Sequence, residues 1–196
     1  MGSLAALSAA IEARDPYARG HSSRVTVFAQ AVAKRIGLDK ERVSVLRLGA
    51  LLHDVGKLSV PPAVLLKHGP LTEKEFEHVR RHPAAGVRML RSLGAPREIL
   101  PAILHHHERW DGAGYPRGRA GERIPLEARI LAIADSFDAM TSTRPYRAPR
   151  QVPDALDELR RCAGSQFDPD LVEVFTAAWG EGELDALVWQ EAAAAS

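Results

Sequence analysis

Apolar residues in this chain recur every three or four positions, segment after segment, and nowhere alternate with polar ones. That spacing puts them on one face of a helix and leaves no half-buried strand from which to build a sheet. Val25, Phe28, Ala29, Val32 and Ile36 show it within 21–36, before a stop at Gly37. Val43, Leu46, Ala50, Leu51 and Val55 show it after Asp39, a residue suited to cap a helix. His53, Asp54 and Lys57 are expected at the far end of that helix. Pro61-Pro62 predicts a turn and His82-Pro83 a helix junction. Thr72 and Glu75 have capping-box spacing, and Asp168-Pro169 reads as a cap followed by proline in the first helical position. Further helices are expected over 3–14, 126–141, 151–162 and 183–191. Between 111 and 125, four glycines and two prolines mark a loop. The expected fold is an all-α helical bundle.

At 196 residues the chain suits one domain with a short extra piece, here 1–180 followed by a helix and tail over 181–196. Net charge is +1, so no global field favours a DNA or RNA polymer. No apolar run approaches the roughly 18 residues of a membrane span. The single Cys162 cannot pair within the chain and fits a reducing compartment; the reading is a cytoplasmic protein. The abrupt helical start suggests a catalytic piece of something longer. Leu4, Leu7 and Ile11 of the first helix suit either this domain's own core or a dimer partner or preceding domain.

The chemistry concentrates in two stretches, His53 to Lys57 and His106 to Pro116. Imidazoles and carboxylates together suit divalent iron, manganese or zinc, and a neighbouring lysine suits a phosphate. His21, His82 and Asp135 supply further candidate ligands. Five histidines and two aspartates exceed the needs of one ion, which suggests two metals sharing a carboxylate and in-line hydrolysis of a phosphodiester. His105, His106 and His107 cannot all face one metal pair, because adjacent helical residues point about 100° apart. Gly112 to Pro116 forms a flexible glycine-rich wall in which Tyr115 could stack on a base or support the loop. Asp138 reads as a solvent-facing or arginine-paired carboxylate, Phe137 and Met140 as core, and His68 and His78 as surface. Arg144 and Arg147 follow the helix bearing Asp135, and arginine grips phosphate or a guanine edge bidentately.

These stretches, with His82-Pro83-Ala84-Ala85-Gly86, the segment 135–147 and Gly164 to Val172, resemble the HD-GYP family of the HD phosphohydrolase superfamily. The resemblance runs from Asp15 to Val172. It implies a five-helix HD core with additional C-terminal helices, a centre of two or three metals, and hydrolysis of cyclic di-GMP to pGpG or GMP. It makes His21, His53, Asp54, His82, His106, His107 and Asp135 the ligands, with Asp54 bridging and His105 turned elsewhere. Lys57 would hold the scissile phosphate. Arg144, Arg147, Tyr115 and Gly114 would contact the dinucleotide. Some members place a third-metal glutamate where this chain has Tyr17, so two ions, iron or manganese, are expected. The family also implies an upstream sensor or receiver module. The alternatives are an HD phosphohydrolase acting on another nucleotide, such as another cyclic dinucleotide, and a non-catalytic messenger-binding or scaffold domain.

Overall fold

The computed structural model describes residues 7, 10, 14, 20–142 and 148–184. Among the described residues there are helices and turns but no strand; an isolated bridge joins Ala163 to Phe167. Tyr17, Arg144, Arg147, most of the expected first helix and most of 181–196 lie outside the described residues.

Helix α1, His21–Arg35, buries Val25, Phe28, Ala29 and Val32 along one stripe. Gly37, at φ 76°, turns the chain through the left-handed region that its lack of a Cβ opens. In α2, Lys40–Leu52, Asp39 accepts the Arg42 N–H at 2.8 Å as the cap. This helix is shorter than its apolar spacing predicts. It ends at Leu52, and Val55, Gly56 and Lys57 lie in a separate 3-10 turn, Val55–Ser59. The reason is tertiary. A Cβ on Gly56 would stand 1.8 Å from the His82 carbonyl oxygen, so the chain tightens there to lie directly on the next layer. Pro61-Pro62 does more than turn the chain, since Pro62–Leu65 forms the short helix α3.

Helix α4, Glu73–Arg80, carries the capping box expected at Thr72 and Glu75. Helix α5 spans His82–Ser92, and α6, Leu100–His105, follows a 3-10 turn at Arg97–Ile99. Helix α7, Leu126–Thr141, begins after the glycine-rich loop. Helices α8, Val152–Arg161, and α9, Pro169–Gly180, close the described chain. Asp168 caps α9 and also pairs with Arg129 of α7 at 2.6 Å.

Two apolar clusters hold the helices together. In the larger, Phe28, Phe137 and Phe175 interlock, with ring centroids 5.0 to 6.1 Å apart. Such edge-to-face arrangements add to the burial term. Phe137 and Met140 are core, as expected. The smaller cluster joins Leu52 and Val55 to Leu90 of α5 and to Ile99 and Ile103. The Gly56–Gly86 contact sits against it, with a Gly86 Cβ position 3.1 Å from Val55 Cγ1.

Gly56→Ala forces backbone against backbone. Overpacking of this kind typically costs about 1–3 kcal/mol. Thermal melting should show a clear drop in midpoint for Gly56→Ala and a small change for Gly180→Ala, whose Cβ would meet nothing within 4 Å and whose φ is not positive.

Candidate metal centre

The candidate ligands sit where helices end. His21 opens α1, His53 and Asp54 follow α2, His82 opens α5 just past the end of α4, and His106 and His107 follow α6. Asp135 lies within α7. A helix C-terminus leaves carbonyls without intrahelical partners. Three histidines use them. His53 Nδ1 donates to Ala50 O, His82 Nδ1 to Val79 O and His106 Nδ1 to Ile103 O, each at 2.7 Å. A carbonyl only accepts, so each of these nitrogens carries the proton and Nε2 of the neutral ring is left as a lone pair.

Those lone pairs converge. His82 Nε2 lies 3.3 Å from His106 Nε2 and 3.3 Å from Asp54 Oδ1. His53 Nε2 is 3.4 Å from Asp54 Oδ2. Acceptors facing acceptors, buried, repel unless a cation lies between them. His53 Nε2 and Asp54 Oδ1 are buried with no hydrogen-bond partner, the deficit a metal would fill. Two imidazole nitrogens about 2.1 Å from one ion stand about 3.0–3.4 Å apart. Ligand atoms of Asp54, His82, His106 and His107 lie within 4.8 Å of one another, as do those of His21, His53 and Asp54. The two groups share Asp54, so the donor set fits two cations with a carboxylate in common.

The electrostatics agree with that use. Burial opposes ionisation of Asp54, but the charge of Lys57 leads the effects that outweigh it and hold the carboxyl well below its ordinary range. Burial, reinforced by neighbouring imidazoles, keeps His106 well below its ordinary value and lowers His107 to about 3. Neutral imidazoles are the form that ligates. Burial also opposes the charge on His21, yet hydrogen bonds to Asp135 and Asp138 raise it to about 9. Its Nε2 stands 3.3 Å from Asp135 Oδ1 and 3.8 Å from Asp54 Oδ2, so the carboxylates that hold a proton there present the same oxygens to a cation. Lys57 Nζ reaches Asp54 Oδ2 at 2.5 Å, and its side chain keeps about a quarter of its surface exposed on the open side of the site.

Two residues matter more than their sequence context suggests. Asp138 is buried and accepts from His21 Nδ1 and Arg24 Nε, both at 2.6 Å. It fixes the ring that faces Asp135. The three-residue spacing of Asp135 and Asp138, which places both on one helix face, is the signal that identifies it. Glu108 is buried and accepts the backbone N–H groups of Arg117 at 2.8 Å and Arg119 at 3.1 Å, while His105 Nδ1 donates to it at 3.2 Å. His105 therefore turns away from the site, as expected.

The glycine-rich loop is held rather than flexible. Trp110 and Asp111 donate backbone N–H groups to Gln166 O and Ser165 O, and Gly121 N–H closes onto Trp110 O. A Cβ on Gly114 would stand 2.3 Å from Arg109 N, so this glycine's own chain already requires its bare backbone. Tyr115 stacks on His107, with centroids 4.9 Å apart and rings 28° from parallel. His68 and His78 are exposed, as expected.

Glu108→Ala would remove the acceptor of the Arg117 and Arg119 amides, and a hydrogen bond to a charged group contributes about 1.5–3 kcal/mol. Limited proteolysis should then cut within 112–120, where wild type resists. Equal resistance would assign the loop's order to the 165–166 contacts alone.

A model of the HD domain matches residues 5–171. A cyclic di-GMP phosphodiesterase of Thermotoga maritima is 41% identical over 166 residues, covering 84% of this chain and 45% of that protein. A 3'3'-cGAMP-specific phosphodiesterase of Vibrio cholerae, phosphodiesterase 3, is 40% identical over 161 residues, covering 82% of this chain and 35% of that protein. The chain thus spans less than half the length of either. The fold is that of the solved Vibrio cholerae phosphodiesterase V-cGAP3, with a TM-score of 0.74 at 21% identity over 92% of this chain and 49% of that one. With this match over most of its length, and with the glycine-tyrosine-proline loop set beside its histidine cluster, the chain belongs to the HD domain family, in its HD-GYP branch.

Proposed function

We propose that this chain hydrolyses cyclic di-GMP at a two-metal centre held by His21, His53, Asp54, His82, His106, His107 and Asp135. The observation that supports it most is the set of lone pairs turned on one another around Asp54. Mixed imidazole and carboxylate donors suit iron or manganese. Two ions are favoured over three because Tyr17 occupies the position where a third-metal glutamate would stand. When bound, the ions would lower the pKa of a water and offset charge on the phosphoryl oxygens.

The residues divide the remaining work. Asp54 serves both halves of the ligand set, and Asp138 holds His21 in register. Lys57 stabilises charge on the scissile phosphate from the open side, where its ammonium already lies against Asp54. The loop from Gly114 to Tyr115 forms one wall of the substrate site. Arg144 and Arg147, assigned by family resemblance, would grip the dinucleotide from the other. The reaction belongs in the cytoplasm, with an upstream sensor or receiver domain to govern it. Among the described residues no helix is long and apolar enough to cross a membrane.

The relative named for 3'3'-cGAMP supports a second reading, in which that mixed dinucleotide is the substrate. One preparation decides between them. Metal content is measured, then turnover of cyclic di-GMP, 3'3'-cGAMP and cyclic di-AMP, with pGpG and GMP separated by chromatography. Faster turnover of cyclic di-GMP is expected. Preference for 3'3'-cGAMP would replace the substrate, and full metal loading with no turnover would move the chain to a messenger-binding role.

Asp54→Ala should lose both ions and all activity, whereas His105→Ala should keep its metal content. Elemental analysis of the two variants checks this, and unchanged metal in Asp54→Ala would remove the shared-ligand role. Lys57→Ala should retain both ions and slow turnover 100- to 1000-fold, the roughly 2.7–4 kcal/mol typical of one lost contact to developing charge. Near wild-type kcat would place Lys57 outside the chemistry.

A further inference from the structure

A cleft of about 800 Å³ opens on the far side of His105 from the metal centre, between α5, the Arg97–Ile99 turn, α6 and the glycine-rich loop. Its volume lies in the range of small-molecule sites. Three arginines line it: Arg91 from α5, Arg97 from the turn and Arg119 from the loop, whose Nη1 also donates to the Arg123 carbonyl at 3.2 Å. No aspartate or glutamate does. Arg91 and Arg97 are exposed and make no ion pair among the described residues. The apolar part of the wall includes Val87 and Leu100. His105 completes it. This ring is 4% exposed, its Nδ1 donates to Glu108, and its Nε2 has no hydrogen-bond partner among the described residues.

These groups define a ligand. Three arginines with no carboxylate among the lining residues, two of them without an ion pair, call for phosphate, which arginine binds through paired N–H donors. The volume and the apolar wall call for more than a bare ion. With Nδ1–H committed to Glu108, His105 Nε2 accepts, so the body of the ligand should present an N–H or O–H. We propose that this cleft is a second binding site, separate from the metal centre, for a nucleoside monophosphate. Its occupant touches the catalytic side through a short relay. His105 and the amides of Arg117 and Arg119 share the Glu108 carboxylate, and the same loop carries Tyr115 against His107. Binding here therefore tightens the loop. The site stands whatever the metal centre hydrolyses.

Radiolabelled GMP in equilibrium dialysis tests it on the full metal-loaded chain. Wild type should bind GMP at two classes of site. The Arg91→Ala/Arg97→Ala double variant should weaken one class about tenfold or more and leave the other intact. Asp54→Ala should do the reverse, which separates this site from the metal centre. If that variant fails to fold, the arginine arm decides alone, because both arginines are exposed. Bound GMP should also slow hydrogen exchange at the Arg117 and Arg119 amides in wild type and not in the double variant. The proposal is overturned by a single class of site, by affinity unchanged in the double variant, or by inorganic phosphate binding the cleft as tightly as GMP. Binding with no change at those two amides would overturn the relay.

Discussion

The arrangement of this domain turns on one buried carboxylate. Asp54 is 3% exposed, and taking a carboxylate out of water costs several kcal/mol unless partners surround it. Its partners come from the start of α1, the end of α2, the following 3-10 turn and the start of α5: His21, His53, Lys57 and His82. None of these contacts is optional to the others. The helices must bring their ends to one point, and the two apolar clusters provide the scaffold that does so. Gly56 and Gly86 allow the closest of these approaches, where a single methyl group would separate Asp54 from His82.

The same helix ends do chemical work. A helix that stops leaves bare carbonyls, and His53, His82 and His106 each stand three residues beyond the carbonyl they use. The local termination of a helix thereby fixes which ring nitrogen carries the proton. That choice presents three Nε2 lone pairs to Asp54 without any dedicated partner side chain. His21 begins a helix and has no such carbonyl within reach of its ring; Asp138 replaces it. The difference explains why His21 Nδ1 meets a buried carboxylate of α7 where the Nδ1 atoms of His53, His82 and His106 meet backbone carbonyls.

Glu108 links this centre to the rest of the surface. Its two oxygens receive the Arg117 and Arg119 amides and the His105 ring, so the loop that supports Tyr115 and the cleft lined by Arg91 and Arg97 share one anchor. Order in a segment with four glycines comes from this buried acceptor and from the backbone bonds to Ser165 and Gln166. Composition alone suggests a flexible segment, because glycine removes steric restriction whether or not a partner later restores order.

Periodicity and caps determined the helices. The spacing from Val25 to Val32, the cap at Asp39, the box at Thr72 and Glu75 and the start of α9 at Pro169 are local signals, and local physics decides them. The side chains able to ligate metal were also legible, because His53-Asp54 and the run of three histidines carry their chemistry in their order. The early end of α2 was not, since Val55 continues the apolar spacing and only the packing of Gly56 onto α5 overrides it. Nor were the full tasks of Glu108 and Asp138, whose partners include groups nine to 117 residues away. A sequence lists the charges. Where a charge is buried, and which acceptor faces which donor, depends on contacts between distant segments, and those exist only once the helices have packed.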